Sequence, residues 1–237
     1  MHIAAGETQA MELVAEAMKR TSAAYPGITF ELYSGTSADL MDNFVRGFYD
    51  FLLECELRSH VDMHTLRLPH TDTWGLLVRR DNPLAAKAAV MPEDLLDQPL
   101  ISSRQGVKVG VLGQWLGDLA DEMDVRATYN LPLNAKFLVR QGIGSAFTYR
   151  GLFEANELND LAFVPLSPTL ESTQSLVCAR PSHPPSPSFF GYVEGPLRRA
   201  RFRKSAGRCQ LRAEMARRAF PTPAISRLNW HFQPFRP

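Results

Sequence analysis

Gly6-Glu7-Thr8 is the first group of residues in the chain with the types and spacing for ligand chemistry. It follows a short strand, His2 to Ala5, and leads into a long amphipathic run. A strand that ends in a glycine turn and feeds a helix presents that helix's unpaired backbone NH groups, at the positive end of its dipole, to whatever lies beyond the sheet. Such a turn suits a polar or anionic small molecule. Glu7 disfavours an anion at the same place unless it points away or pairs with a cation.

Other arrangements that carry chemistry are incomplete. Gly144-Ser145 lacks the second glycine that a nucleophile elbow needs, and no histidine is patterned beside it. His60 and His64 stand four apart with Asp62 between them, a spacing that shares one helix face, yet no third ligand or glutamate base completes a metal motif. Gly142 and Gly144 follow a helix and precede a strand, the reverse of a dinucleotide-binding loop, and read as a helix stop. Cys55, Cys178 and Cys209 are odd in number and far apart, which suits reduced space-filling thiols rather than a disulfide framework. No catalytic residue, metal ligand or cofactor is expected.

The elements that would position these residues alternate. Glu7 to Tyr25 reads as a helix with Ala10, Leu13, Val14, Ala17 and Met18 on one stripe, stopped by Pro26-Gly27. Ile28 to Leu32 alternates as a strand, and Gly35-Thr36-Ser37 gives a turn and an N-cap for a helix through Val45. Phe48 to Leu53 is the third strand. A second series has apolar runs at Leu66 to Pro69 and Trp74 to Val78, separated by polar His70 to Thr73. It continues with a short helix start at Pro92 to Leu95, a strand from Pro99 that ends at Ser102-Ser103, and a helix from Val111 to Met123. A strand at Val125 to Asn130, a helix from Pro132 to Gly142, and strands at Gly144 to Tyr149, Leu161 to Leu166 and Ser175 to Cys178 follow. Strands alternating with helices at these intervals predict an α/β protein with parallel sheets.

With 237 residues, 45% hydrophobic and 22% charged, the chain can bury one large core or two smaller ones. The net charge of +1 conceals an asymmetry: residues 198–237 hold eleven Lys and Arg against Glu214, leaving fifteen basic against twenty-four acidic residues before them. An acidic body argues against a nucleic-acid surface there. The tail reads as a nucleic-acid arm, a disordered extension or the product of a shifted reading frame, and its reliance on Arg over Lys favours the last two. No run approaches the roughly 20 apolar residues of a membrane span, and no signal pattern opens the chain, so a cytoplasmic location is expected.

The order of short words along residues 1 to about 177 resembles the effector-binding (substrate-binding) domain of LysR-type transcriptional regulators. These words include Ala5-Gly6-Glu7-Thr8, Tyr25-Pro26-Gly27-Ile28, Glu31-Leu32-Tyr33-Ser34-Gly35, Gly47-Phe48-Tyr49-Asp50, Trp74-Gly75-Leu76-Leu77-Val78 with Asn82-Pro83-Leu84-Ala85, Pro92-Glu93-Asp94-Leu95, Pro99 to Gln105 and Gly142 to Ala146. The resemblance implies a type 2 periplasmic-binding-protein-like fold of two α/β lobes around a ligand cleft. Residues 1–71 plus 168–197 would form lobe I and residues 72–167 lobe II, with 198–237 an Arg-rich tail. It further implies a small-molecule effector and a homodimer, or hetero-association with an intact regulator. The family's winged helix-turn-helix is not seen ahead of Met1, so DNA would be met only indirectly, or weakly through the tail. A free-standing solute-binding protein is the alternative.

In such a cleft the matching positions are Thr8, Thr36, Ser37, Ser102, Ser103, Tyr129, Asn130 and Thr148, whose hydroxyls and amides lie at strand ends and helix starts. Any one of them alone reads as a cap or turn residue; the set argues for a site. Arg104 is a further partner for an anionic ligand.

Overall fold

The computed structural model describes residues 1–56, 58, 60, 63–104, 106 and 110–179. Expectations for 180–197 and for the 198–237 tail lie outside these residues. Strand β1 (His2–Ala5) runs parallel to β2 (Glu31–Ser34) on one side and β3 (Phe51–Glu54) on the other. Helix α1 (Met11–Ala24) joins the first pair, and α2 (Ser37–Val45) lies between β2 and β3. Parallel neighbours require such crossovers.

Helix α2 forms where its N-cap predicts. Thr36 accepts the Asp39 amide at 3.3 Å and donates its hydroxyl to the Asp39 carboxylate at 2.8 Å. Its buried Leu40 and Phe44 then pack on Ala4, Leu52 and Val177. Helix α1 begins later than the expected Glu7. Thr8 folds back, its hydroxyl oxygen taking the Ala10 amide at 3.1 Å and its carbonyl the Met11 amide at 3.2 Å. Strand β2 likewise starts at Glu31 instead of Ile28, because Ile28 is held in the Pro26-Gly27 turn by a bond to the Tyr25 carbonyl.

The largest departure from expectation is β4, one strand of 17 residues from Met63 to Arg79 where two runs with a polar break are predicted. Its first part pairs antiparallel with β9 (Glu171–Ala179), across a bulge between Arg67 and Thr71. Its last part is flanked by β7 (Ser145–Tyr149) and β8 (Leu161–Pro165). Polar Asp72 keeps its place in the ladder opposite Ser172, and His70, in the bulge, hydrogen-bonds its carboxylate at 2.9 Å. Strand β4 therefore belongs to two sheets: β2-β1-β3-β9-β4, and β4-β7-β5-β6 with β8 on the other side of β4.

In the second sheet β5 (Leu100–Ser103) is parallel to both β6 (Val125–Tyr129) and β7. Alternate residues face two cores. Leu76, Val78, Phe147 and Tyr149 pack with Leu112 and Leu116 of α3 (Gly110–Leu116), while Leu77, Ile101 and Ala146 pack with Ala135 and Val139 of α4 (Ala135–Arg140). The expected single helix from Val111 to Met123 is divided: α3 ends at Leu116, and Gly117, with φ of +57°, opens a 3-10 turn through Asp121. Gly142 closes α4 with φ of +74°, the helix-stop role expected of it. His60 and His64 do not share a helix face, since His64 lies on β4 and His60 meets Glu54 at 2.7 Å.

Candidate functional site

The parallel strands of both sheets end at a common cleft of about 280 Å³. From the first sheet it is lined by Ala5 to Thr8 after β1, by Met11, and by Leu32 and Ser34 of β2; from the second come Leu133 after β6 and Leu152 and Phe153 after β7. Ligands of open α/β sheets collect at the carboxyl ends of strands for this geometric reason. The size, just below the roughly 300–1,000 Å³ usual for ligand sites, suits a small metabolite.

Behind the cleft wall stands a buried polar network. The Thr8 hydroxyl donates to the Asp72 carboxylate, which also accepts Gln174 Nε2 at 2.9 Å and meets His70 Nε2 at 2.9 Å. Gln174 Nε2 and the Tyr149 hydroxyl both reach the Cys55 carbonyl at 3.4 Å. The Tyr149 ring lies 4.4 Å from that of Trp74, whose indole NH bonds Ser172 at 2.8 Å. These bonds connect the β1 turn to the two strands, β4 and β9, that run where the sheets meet. Gly6 fits this crowded corner because a Cβ there would collide with Cys55 Sγ.

The electrostatics of the corner are negative. Burial, aided by the charges of Asp72, Glu56, Glu54 and Glu7, pushes the Cys55 thiol up to about 12. Tyr129, whose hydroxyl donates to the Phe147 carbonyl at 2.7 Å, is raised by burial and secondarily by Glu7. Glu7 itself is raised by desolvation, opposed by a hydrogen bond from the Leu133 amide.

Of the eight predicted site residues, Thr8 lines the cleft. Thr36 and Ser37 sit at the start of α2, two and three residues beyond the lining Ser34, with Thr36 engaged as a cap, and neither is among the described lining residues. Asn130 caps its own turn, its side-chain oxygen accepting the Leu131 amide at 2.9 Å. Ser102 and Thr148 are buried, with hydroxyls that have no hydrogen-bond partner among the described residues. Ser103 is half-buried at the end of β5, close to Ser102: a Cβ on Gly106 would stand 2.6 Å from one hydroxyl and 2.8 Å from the other. The expected free NH groups at the start of α1 are corrected by the structure. Ala10, Met11, Glu12 and Leu13 all donate to acceptors in the Thr8 to Ala10 turn. Arg104 is exposed and is not among the described lining residues.

Leu32, Ser34, Leu133, Leu152 and Phe153 were not anticipated, although the rule that ligands sit at strand ends marks the segments that carry them. Asp72 and Gln174 were missed as well, because nothing short of the register between β4 and β9 brings them to Thr8.

Two strand-sharing α/β sheets with a cleft at their carboxyl ends define a type 2 periplasmic-binding-protein-like ligand-binding fold. Residues 1–191 match the LysR substrate binding domain family, and the chain belongs to it. It is an effector-binding domain of the LysR-type transcriptional regulators, a regulatory family. Solved structures with the same fold include the effector-binding domain of QuiR in complex with shikimate, at 15% identity and a TM-score of 0.69, with 85% of this chain and 97% of that one covered. The regulatory domain of CcmR from Synechocystis PCC6803, in complex with 2-PG, aligns at 16% identity and a TM-score of 0.67, covering 83% of this chain and 96% of that one. The regulatory domain of MetR from N. meningitidis aligns at 17% identity and 0.63, covering 87% and 95%.

Proposed function

We propose that this domain senses a small polar metabolite in the cleft between the Gly6 to Met11 turn and the loops after β6 and β7. The observation that carries this reading is the convergence of strand ends from both sheets on one cavity of about 280 Å³ with Glu7 and Thr8 in its wall. In this reading residues 1–71 and 168–197 form one lobe and 72–167 the other, and ligand favours the lobe arrangement to which it binds more tightly. The small-molecule complexes of QuiR and CcmR support the same use of the fold. The domain works as a homodimer or with an intact regulator, in the cytoplasm, without catalytic turnover. Thr8 is the principal polar contact of the eight predicted residues.

Isothermal titration of the folded chain against small polar metabolites tests this, with two variants. Ser34→Trp fills the exposed end of the cleft and is expected to abolish binding while circular dichroism stays unchanged. Ser103→Ala reports whether the end of β5 contributes. Undiminished binding by Ser34→Trp would place the ligand elsewhere.

A further inference from the structure

We propose that the effector of this cleft is a small protonated amine with an apolar body. This rests on the reading of the cleft as the effector site and names the chemistry that the site recognises. Among the described lining residues Glu7 is the one that carries a charge. The neighbouring carboxylates have basic partners: Glu54 meets His60 at 2.7 Å, Glu56 meets Arg58 at 3.6 Å and Asp72 meets His70 at 2.9 Å. Glu7 lies near the Leu133 amide and has no basic partner among the described residues, which leaves most of its lone-pair positions for a ligand.

Thr8 adds acceptor capacity rather than a donor. Its proton is given to Asp72 and one lone pair takes the Ala10 amide, so what remains for a ligand is a lone pair. The first amides of α1 are spent inside their own turn and do not form an anion site. Tyr129 and Cys55, the other titratable groups coupled to Glu7, are both held neutral by burial and contribute no positive charge.

The rest of the wall is apolar: Leu32, Leu133, Leu152 and the Phe153 ring. An aromatic face near a carboxylate stabilises an ammonium group and its hydrocarbon body together. The Phe153 ring already has the Lys136 ammonium 5.9 Å from its centroid. That lysine is drawn between Phe153 and Phe137, where it lies at 5.0 Å, and does not pair with Glu7.

Matched probes of similar shape separate this proposal from the reading beneath it. Phenethylamine, phenylacetate and 2-phenylethanol are titrated into the full chain at pH 7.5, and into the Glu7→Gln variant. The expected result is binding of the amine, at least tenfold tighter than of the acid or alcohol, and a loss of about tenfold or more in Glu7→Gln. Amine affinity also falls on acidification as Glu7 takes up a proton. Tighter binding of the acid or the alcohol, blocked by Ser34→Trp, overturns the amine proposal and leaves the cleft as the effector site. Amine binding equal in wild type and Glu7→Gln overturns it as well. Failure of all three probes and of a wider metabolite panel with a folded sample removes both readings.

Discussion

Replacing Asp72 by Ala tests the network that holds Thr8 against the cleft. Asp72 is 2% exposed and accepts the Thr8 hydroxyl, Gln174 Nε2 and His70 Nε2. Thr8 is buried, so truncation strands its hydroxyl; Gln174 Nε2 keeps the Cys55 carbonyl at 3.4 Å, and His70, with 30% of its side chain exposed, recovers a partner from solvent. A buried donor stranded in this way costs about 1–3 kcal/mol, which sets the expected loss. That is a large share of the roughly 5–15 kcal/mol of a typical domain. Asp72→Asn keeps one acceptor oxygen and should lose about half as much. Urea unfolding followed by tryptophan fluorescence measures both, with Trp74 a local reporter because its ring contacts Tyr149. A stability for Asp72→Ala within about 0.5 kcal/mol of wild type, the range of ordinary surface substitutions, would refute the reasoning.

Other perturbations have equally definite outcomes. Glu7→Gln removes a carboxyl whose folded pKa is raised by burial. Such a group binds more protons folded than unfolded above its ordinary value of 4.5, so its ionisation destabilises the fold as pH rises through that window. The variant should match or exceed wild-type stability at pH 7.5 by up to about 0.5 kcal/mol and converge with it at low pH, as read by thermal melts at both pH values. Thr36→Ala removes the α2 cap and should cost about 1 kcal/mol in urea titrations. Gly75→Ala brings a Cβ into the Phe163 ring and to 2.6 Å from the Val164 carbonyl, and should cost about 1–3 kcal/mol or more. In a Cys209→Ser background, iodoacetamide at pH 8 should alkylate Cys55 and Cys178 rapidly only after unfolding, because burial pushes their thiols up to about 12 and about 11.

Much of the architecture is legible in the sequence because it rests on local signals. The Thr36 cap with Asp39 in the first turn, the Pro92 start and the Gly142 stop each act within a few residues. The break predicted inside β4 fails because polar His70 and buried Asp72 look like a loop until the partners of Asp72, Gln174 on β9 and Thr8 after β1, are known. The start of α1 fails for a related reason: Thr8 was read as free to bind, whereas it caps its own turn and bonds Asp72, 64 residues away. Thr8 itself was found because a glycine turn after a first strand is a local feature. Phe153 and Leu133 escaped because apolar loop residues carry no chemical signature until two sheets bring them opposite a carboxylate.

The central claim is that a small molecule occupies the cleft formed by the β1 turn, β2 and the loops after β6 and β7. A crystal structure of the domain with the tightest-binding molecule from the titration panel tests it most directly. The account predicts density for that molecule between Glu7, Thr8 and Phe153; density at any other surface, with this cleft open and empty, would contradict it.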